Sequence, residues 1–178
     1  MAIQQRTRLR ELRQTDWRFI HSYACLDISC RYQPWGPNSE EETLKFVSQA
    51  IRDTKQSPRS RFAFAVIEEE NEELIGVAEL NIRDFSNKIG EIGYIIHPDF
   101  WSRGYATEAG ALLLHLGYTV LELHRIYATC HPENTGSIRV LEKLGMKKEG
   151  TMREDLKMEN GWRDSLLYSI LEHEWACM

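Results

Sequence analysis

The chain has 178 residues, 42% of them hydrophobic and 28% charged, with a formal net charge of −5. That length suits one domain over residues 1–178 with apolar content enough for a buried core, and the acidic balance argues against a general nucleic-acid binder, which carries a basic excess or stripe. No apolar run approaches the roughly 20 residues that cross a bilayer, the N-terminus has no signal-peptide core, and Cys25, Cys30, Cys130 and Cys177 form no CxxC pair, so a cytoplasmic protein without a zinc site or disulfide framework is expected.

Taken in order, Thr7 to Leu12 alternates polar and apolar residues and predicts a first strand. Thr15 or Asp16 is placed to cap a helix carrying Trp17, Ile20 and Tyr23. Arg31 to Asn38 (RYQPWGPN) holds two prolines and a glycine and must be a loop. Ser39 and Glu42 form a capping box for a second helix whose apolar side is Leu44, Phe46, Val47, Ala50 and Ile51. Phe62 to Ile67 and Leu74 to Ile82 predict a hairpin closed by the solvated acidic turn Glu68 to Glu73. Ile89 to Ile96 is the next strand, and a helix follows from about Thr107 to Val120. His124 to Cys130 gives a strand, Asn134 to Leu144 a helix ended by Gly145, and Lys148 to Met158 and Leu166 to Leu171 a last pair joined by a turn at Asn160 and Gly161. The order β-α-α-β-β-β-α-β-α-β-β predicts an α/β (α+β) fold with a single mixed sheet and helices on its faces.

The stretch that organises this order is Phe100 to Ala109, FWSRGYATEA, between a strand and a helix. A helix start presents amides without partners and the positive end of a dipole, and Gly104 lets the backbone close around an anion. Ser102, Arg103, Gly104, Tyr105, Ala106 and Thr107 are therefore placed to aim successive amides at a phosphate, although a glycine-bearing turn before a helix also serves as an ordinary connection. Arg103 adds a positive charge there.

The run EIGYIIHPDFWSRGYATEA, Glu91 to Ala109, resembles the acyl-coenzyme A signature of the GNAT superfamily of N-acetyltransferases. NTGSIRVLEKLGMKKEG, Asn134 to Gly150, resembles the second motif of its RimJ/RimL-like branch. With RTRLREL near the start and WRDSLLYSILEHEW near the end, the resemblance covers nearly the whole chain in the expected order. It implies a mostly antiparallel central sheet, acetyl-coenzyme A as co-substrate, no metal, and transfer of the acetyl group to a primary amine. It further implies that the pantetheine arm lies along Ile95, Ile96 and His97 like an added strand, that Asn134 contacts coenzyme A, and that Ser137 sits beside the thioester sulfur. The bland reading of Asn134 and Ser137, one helical turn apart, is a helix cap. Many members place a tyrosine acid seven residues after the Asn. Here Leu141 stands in that place, which leaves Ser137 to hydrogen-bond the departing thiolate. Trp101 and Ser102 also depart from the pattern, which often has Gln or Arg and then Gly; Ser102 is restricted if the turn requires a positive φ.

Glu91, at the head of the central strand, and Glu79, on its neighbour, are the base candidates, acting directly or through water, with Glu79 also a candidate for holding the acceptor. A histidine is the side chain type whose charge changes near neutrality, but a lone histidine before proline, as at His97 and His131, is usually structural. Trp35, in the loop between the first helices, is the candidate acceptor-pocket residue. No Ser-His-Asp or Cys-His arrangement supports a covalent acyl-enzyme. The acceptor stays open between a protein N-terminus and a small amine, an amino-acid derivative or an antibiotic, since relatives of this signature act on all of these, and such relatives are often dimers. The rival readings are a non-catalytic acyl-coenzyme A-binding module and, last, a nucleotide-binding regulator, which lacks GxxxxGK[ST].

Overall fold

A computed structural model describes residues 6–158 and 161–176; the expected turn residue Asn160, and Cys177, lie outside them. The strands are β1 (Thr7–Glu11), β2 (Arg61–Glu68), β3 (Glu73–Asp84), β4 (Ile89–Ile96), β5 (Arg125–Cys130), β6 (Lys147–Met158) and β7 (Gly161–Leu171). The helices are α1 (Trp17–Ala24), α2 (Asp27–Cys30), α3 (Glu40–Asp53), α4 (Tyr105–His115), α5 (Thr135–Lys143) and α6 (Glu172–Trp175). The strands form one sheet in the order β1-β2-β3-β4-β5-β7-β6, antiparallel throughout except at β4–β5. This is the single mixed sheet flanked by helices that the element order predicts, mostly antiparallel as the resemblance implies.

The period-two alternation of β2 shows how the layers arise. Ala63, Ala65 and Ile67 point to one face, where Ile20, Tyr23 and Ala24 of α1 and Val47 and Ala50 of α3 cover them. Phe62, Phe64 and Val66 point to the other, which joins Ala109, Leu113 and Leu114 of α4 and Leu141 of α5 in the larger cluster. The small side chains on the α1–α3 face let those helices approach closely. No helix among the described residues is long and apolar enough to cross a membrane.

Local chemistry sets the element ends. Ser39 Oγ accepts the Glu42 amide at 3.2 Å and the Glu42 carboxylate accepts the Ser39 amide at 2.8 Å, so the capping box forms. Asp16 does not cap α1. Its carboxylate accepts the Arg13 amide at 2.7 Å and pairs with Arg10 at 3.1 Å, closing a one-turn 3-10 helix before α1. Helix α4 begins two residues earlier than Thr107 and gives way to a π-helical turn, Leu116–Val120, where the Tyr118 hydroxyl donates to the Ile170 carbonyl at 2.7 Å. In the acidic turn, Glu68 is buried rather than solvated because its carboxylate accepts the amides of Glu70 and Asn71, at 3.1 and 2.9 Å.

The β6–β7 hairpin is longer than the apolar pattern suggests and is interrupted. Its register passes from Met152↔Ser165 to Leu156↔Arg163, so residues 153–155 bulge from β6. Glu154 takes a positive φ of 51° there, and its amide donates to Asp164 Oδ1 at 2.8 Å. A bulge re-aims the side chains beside it, and here it turns Asp155 and Arg163 toward one cavity.

Candidate active site

Among the described residues the only parallel pair is also the shortest. β4 and β5 pair at Ile89↔Arg125, Gly90↔Ile126 and Glu91↔Tyr127 and no further, after which β5 continues only against β7. Past Glu91 the two strands part, and the sheet opens through its middle. In β4, Glu91, Gly93 and Ile95 lie opposite Asn81, Glu79 and Val77 of β3, while Tyr94 and Ile96 pack on the α4–α5 side. Backbone groups alternate in direction along a strand. The His97 amide donates to Ile75 at 2.8 Å, so Ile95 and His97 turn their groups toward β3, and those of Ile92, Tyr94 and Ile96 face the opening. This corrects the expectation that the arm lies along the backbone of Ile95 and His97, whose groups are directed at β3. The Ile96 carbonyl is also engaged, by Trp101 Nε1 at 2.6 Å. The His97 ring is structural: Nδ1 accepts the Asp99 amide at 3.1 Å and the ring packs against Phe19, Tyr23 and Phe100.

Below the opening, the turn into α4 has the geometry its glycine suggests. Gly104 is left-handed at φ 90°, and Ser102 also has a positive φ, 61°. The amides of Ser102, Arg103, Gly104, Tyr105 and Ala106 have no hydrogen-bond partner among the described residues. The Thr107 amide donates to the Gly104 carbonyl at 3.0 Å, so it closes the first turn and is removed from the expected set. A buried carboxylate holds this turn from behind. Glu108 of α4, 4% exposed, accepts from the Arg6 amide at 2.9 Å and from Arg6 Nε at 2.8 Å, and Arg6 Nη2 also donates to the Arg103 carbonyl at 2.7 Å. The guanidinium lies 4.8 Å from the centre of the Tyr105 ring. Arg103 itself is exposed, with its guanidinium over Phe100.

On the α5 side, Asn134 caps the helix: its Oδ1 accepts the Ser137 amide at 3.0 Å. That leaves the Asn134 amide group and the Ser137 hydroxyl facing a cavity of about 450 Å³, which they line together with Leu141 and Cys130. Tyr94 lines it too. Its hydroxyl is buried and makes no hydrogen bond of normal geometry among the described residues. Burial pushes its pKa far above the ordinary tyrosine value, with nearby Ser137 drawing it partly back. Tyr94 is thus a protonated donor in search of an acceptor, beside the serine and in the region where Leu141 displaces the expected tyrosine. Burial also pushes the Cys130 thiol up to about 11, so it is not a thiolate nucleophile near neutral pH. His131 is driven below its ordinary pKa by burial and by Arg163.

On the other face a second cavity, of about 490 Å³, is lined by Tyr23, Trp35, Arg61, Glu79, Glu91 and Gly93 among others, and Trp35, Arg83, Glu91 and Tyr94 line both. A Cβ on Gly93 would meet nothing within 4 Å, so packing does not require glycine there, and its absence leaves room at the opening. The carboxylates differ in what they have free. Glu79 gives both oxygens to Arg61, at 3.0 and 2.9 Å, which makes it a poor base and a wall residue. Glu91 meets Arg83 through Oε2, 2.7 Å from Nε, with the Tyr127 hydroxyl 3.5 Å away, and its Oε1 has no partner among the described residues. Asp155, half-buried in the Ser137 cavity, has no hydrogen bond or ion pair within 4 Å among the described residues. Sequence reading misses Tyr94, Asp155 and Arg163: the first sits inside a strand pattern that reads as core, and the others gain their position from a bulge with no local signature.

A mixed sheet split at its one parallel pair, with an open helix N-terminus below the split, is the architecture of an acyl-coenzyme A N-acyltransferase. The family model described as an acetyltransferase (GNAT) domain matches residues 6–147. An uncharacterized N-acetyltransferase of Bacillus subtilis (strain 168), YnaD, is 34% identical over 171 residues, covering 96% of each chain. Spermidine N-acetyltransferase from Vibrio cholerae, solved in complex with CoA and spermine, superposes with a TM-score of 0.83 at 26% identity over 96% of this chain and 98% of that one. Mycobacterium smegmatis RimJ in complex with CoA-disulfide gives 0.82 at 26% identity over 94% and 83%. The chain belongs to the GNAT family of N-acetyltransferases.

Proposed function

We propose that the chain moves the acetyl group of acetyl-coenzyme A directly to a primary amine in the cytoplasm, as a member of the RimJ/RimL-like branch. The observation that carries this reading is the split between β4 and β5, which joins five open amides at one end to a buried, unpartnered hydroxyl beside Ser137 at the other. The residues present fit coenzyme A. Amides 102–106, with the dipole of α4 and Arg103 behind them, suit a pyrophosphate. The Tyr94 backbone groups and the Ile96 amide, which face the opening, suit an extended amide-bearing arm, and Asn134 has an amide group to offer it.

Bound acetyl-coenzyme A supplies a thioester, an acyl group on a sulfur leaving group. The Tyr94 amide, past the last β4–β5 pair and facing the opening, polarises the thioester carbonyl, a preorganised donor where negative charge develops. The acceptor nitrogen bonds to the carbonyl carbon as the carbon–sulfur bond breaks. Its surplus proton passes to Glu91 Oε1 or to Asp155, directly or through water. Ser137, with the Tyr94 hydroxyl behind it, donates to the sulfur. At pH 7 an α-amine near pKa 8 loses its proton at about 1 kcal/mol, against more than 4 for a lysine near 10.4, so an α-amine asks less of these residues. The spermidine-acetylating relatives raise a polyamine as the alternative. Here Glu79 and Glu91 are each already paired with an arginine, and the cavity walls carry no surplus of acid to hold a polycation.

The test is release of free thiol from acetyl-coenzyme A across a panel of N-terminal peptides, amino acids, lysine peptides, polyamines and aminoglycosides. Amine-dependent release is expected, with α-amines ahead of polyamines. Tight coenzyme A binding with no amine-dependent release overturns the reading and points to a binding module.

A further inference from the structure

Burying a guanidinium removes water from a charge that cannot be neutralised, so half-buried arginines are normally matched with a carboxylate. Arg6, Arg8, Arg10, Arg59, Arg61 and Arg125 follow this rule, each with an Asp or Glu oxygen within 4 Å. Arg163 is half-buried to the same class and has no such partner among the described residues. Its Nη1 donates to the Tyr32 carbonyl at 2.7 Å and its Nη2 to Ser165 Oγ at 3.2 Å, both neutral acceptors, while Nε is buried with no acceptor among the described residues. A guanidinium carries five N–H groups, so these two bonds leave most of the fork without a partner.

Position gives this imbalance its meaning. Arg163 lines the same cavity as Ser137 and Tyr94, and its charge is felt at His131 and Cys130 on the cavity wall. Asp155 lines the cavity as well and its charge acts on Arg163, but from beyond ion-pair distance, because the bulge at 153–155 takes β6 out of register with β7 there. The other charged pair on the wall, Arg83 and Glu91, is already joined through Glu91 Oε2. A purely structural tie from β7 to the Tyr32 loop needs one donor; a neutral glutamine or asparagine would serve without the burden of a charge that has no direct counterion.

We propose that the acceptor is a small amine that also carries an oxyanion, a carboxylate or a phosphate, and that Arg163 binds this group while the amine faces the thioester at Ser137. The proposal rests on the transferase reading above and narrows its substrate class. Amino acids and close derivatives, with an anion a few bonds from the amine, have this chemistry, and polyamines do not. Planar, forked recognition of an oxyanion is what a guanidinium offers and a lysine ammonium does not.

The experiment compares acceptors that differ only at the anion: α-amino acids against their primary amides, and O-phosphoethanolamine against ethanolamine, with spermidine as the anion-free polyamine. Rates are referred to the neutral-amine concentration of each. The wild-type chain is expected to favour the anionic member of one pair at least tenfold in kcat/KM, and which pair responds identifies carboxylate or phosphate. Arg163→Gln is expected to lower kcat/KM for that acceptor about tenfold to hundredfold more than for its anion-free partner, the range of a lost charge-assisted hydrogen bond. The loss should fall mainly on KM, and Arg163→Lys should restore only part of it. Calorimetric binding of coenzyme A by each variant shows that the fold is intact; if Arg163→Gln fails that check, the Arg163→Lys comparison decides. Equal or better use of the amides, ethanolamine or spermidine, or an equal loss on both members of a pair, overturns the proposal and leaves the transferase reading standing. No turnover with any amine overturns both.

Discussion

The two ends of the β4–β5 opening are built on different principles. The turn into α4 is made of backbone: five open amides, a helix dipole and a left-handed glycine, all within residues 102–108. The acceptor end is made of side chains that meet only after folding, with Trp35 from the loop before α3, Arg61 from β2, Glu91 and Tyr94 from β4, Ser137 from α5, and Asp155 and Arg163 from a bulged hairpin. A backbone site tolerates changes of side chain as long as the chain path survives, so it is shared by relatives with different acceptors. A side-chain site is re-made by single substitutions. The difference teaches where affinity for the common substrate resides and where choice of acceptor resides.

The sharpest way to break the comparison is at Gly104. A Cβ there would meet only Arg6 Nη2, at 3.4 Å, so space is not the objection; the φ of 90° is. Holding an L residue in this region costs about 1–2 kcal/mol, and relaxing it misaligns the amides on both sides. Gly104→Val is therefore expected to weaken coenzyme A binding more than tenfold by calorimetry, whereas Arg103→Ala, which keeps the amides, weakens it only a few-fold. If the two losses were reversed, the site would be a side-chain site after all.

At the other end, Ser137→Ala should lower kcat about hundredfold with little change in the KM for acetyl-coenzyme A, the size of a lost preorganised donor. Tyr94→Phe should lower kcat about tenfold. Because Tyr94 is taken to act through Ser137, the double variant should lose little more than Ser137→Ala alone, a non-additivity readable in a double-mutant cycle. Full additivity would separate the two hydroxyls.

The clamp behind the turn gives an intermediate effect. Glu108 is buried while Arg6 is 40% exposed, so Glu108→Gln is expected to cost about 2 kcal/mol of stability, between an exposed pair and a fully buried one. The same change should loosen the Arg103 carbonyl and weaken coenzyme A binding a few-fold, with acceptor preference unaltered.

The smallest effect concerns acid stability away from both ends. Hydrogen bonds from Arg125 and then Ser169 lower the Glu149 pKa to about 2. Since its folded value lies below its ordinary one near 4.5, the stabilisation is fully present above about pH 4.5 and is lost as pH falls toward 2. Glu149→Gln should flatten the fall in Tm over that interval, with only a small loss at pH 7 because the pair is partly exposed.

Much of the fold is legible in the sequence because local signals agree: the Ser39–Glu42 box, the alternation of β2, and the cap and Gly145 stop of α5 all appear where residue types place them. The turn at Gly104 is legible for the same reason. The limits are equally physical. Thr107 is drawn into the helix because α4 starts two residues early. The direction of the Ile95 and His97 backbone groups depends on their register with β3. Trp101 looks like a neutral departure in the sequence, and only the structure shows its indole on the Ile96 carbonyl. Asp155 and Arg163 depend on a bulge stabilised by a single Asp164 contact, and Tyr94 becomes a site residue only because β5 leaves β4 after Glu91.

The most direct test of the central claim, that the two ends hold both substrates at once for direct transfer, is the initial-rate pattern with acetyl-coenzyme A and the best amine varied together. Intersecting double-reciprocal lines are predicted, because the amine attacks while the thioester is bound. Parallel lines, the signature of an acyl-enzyme formed before the amine arrives, would contradict it.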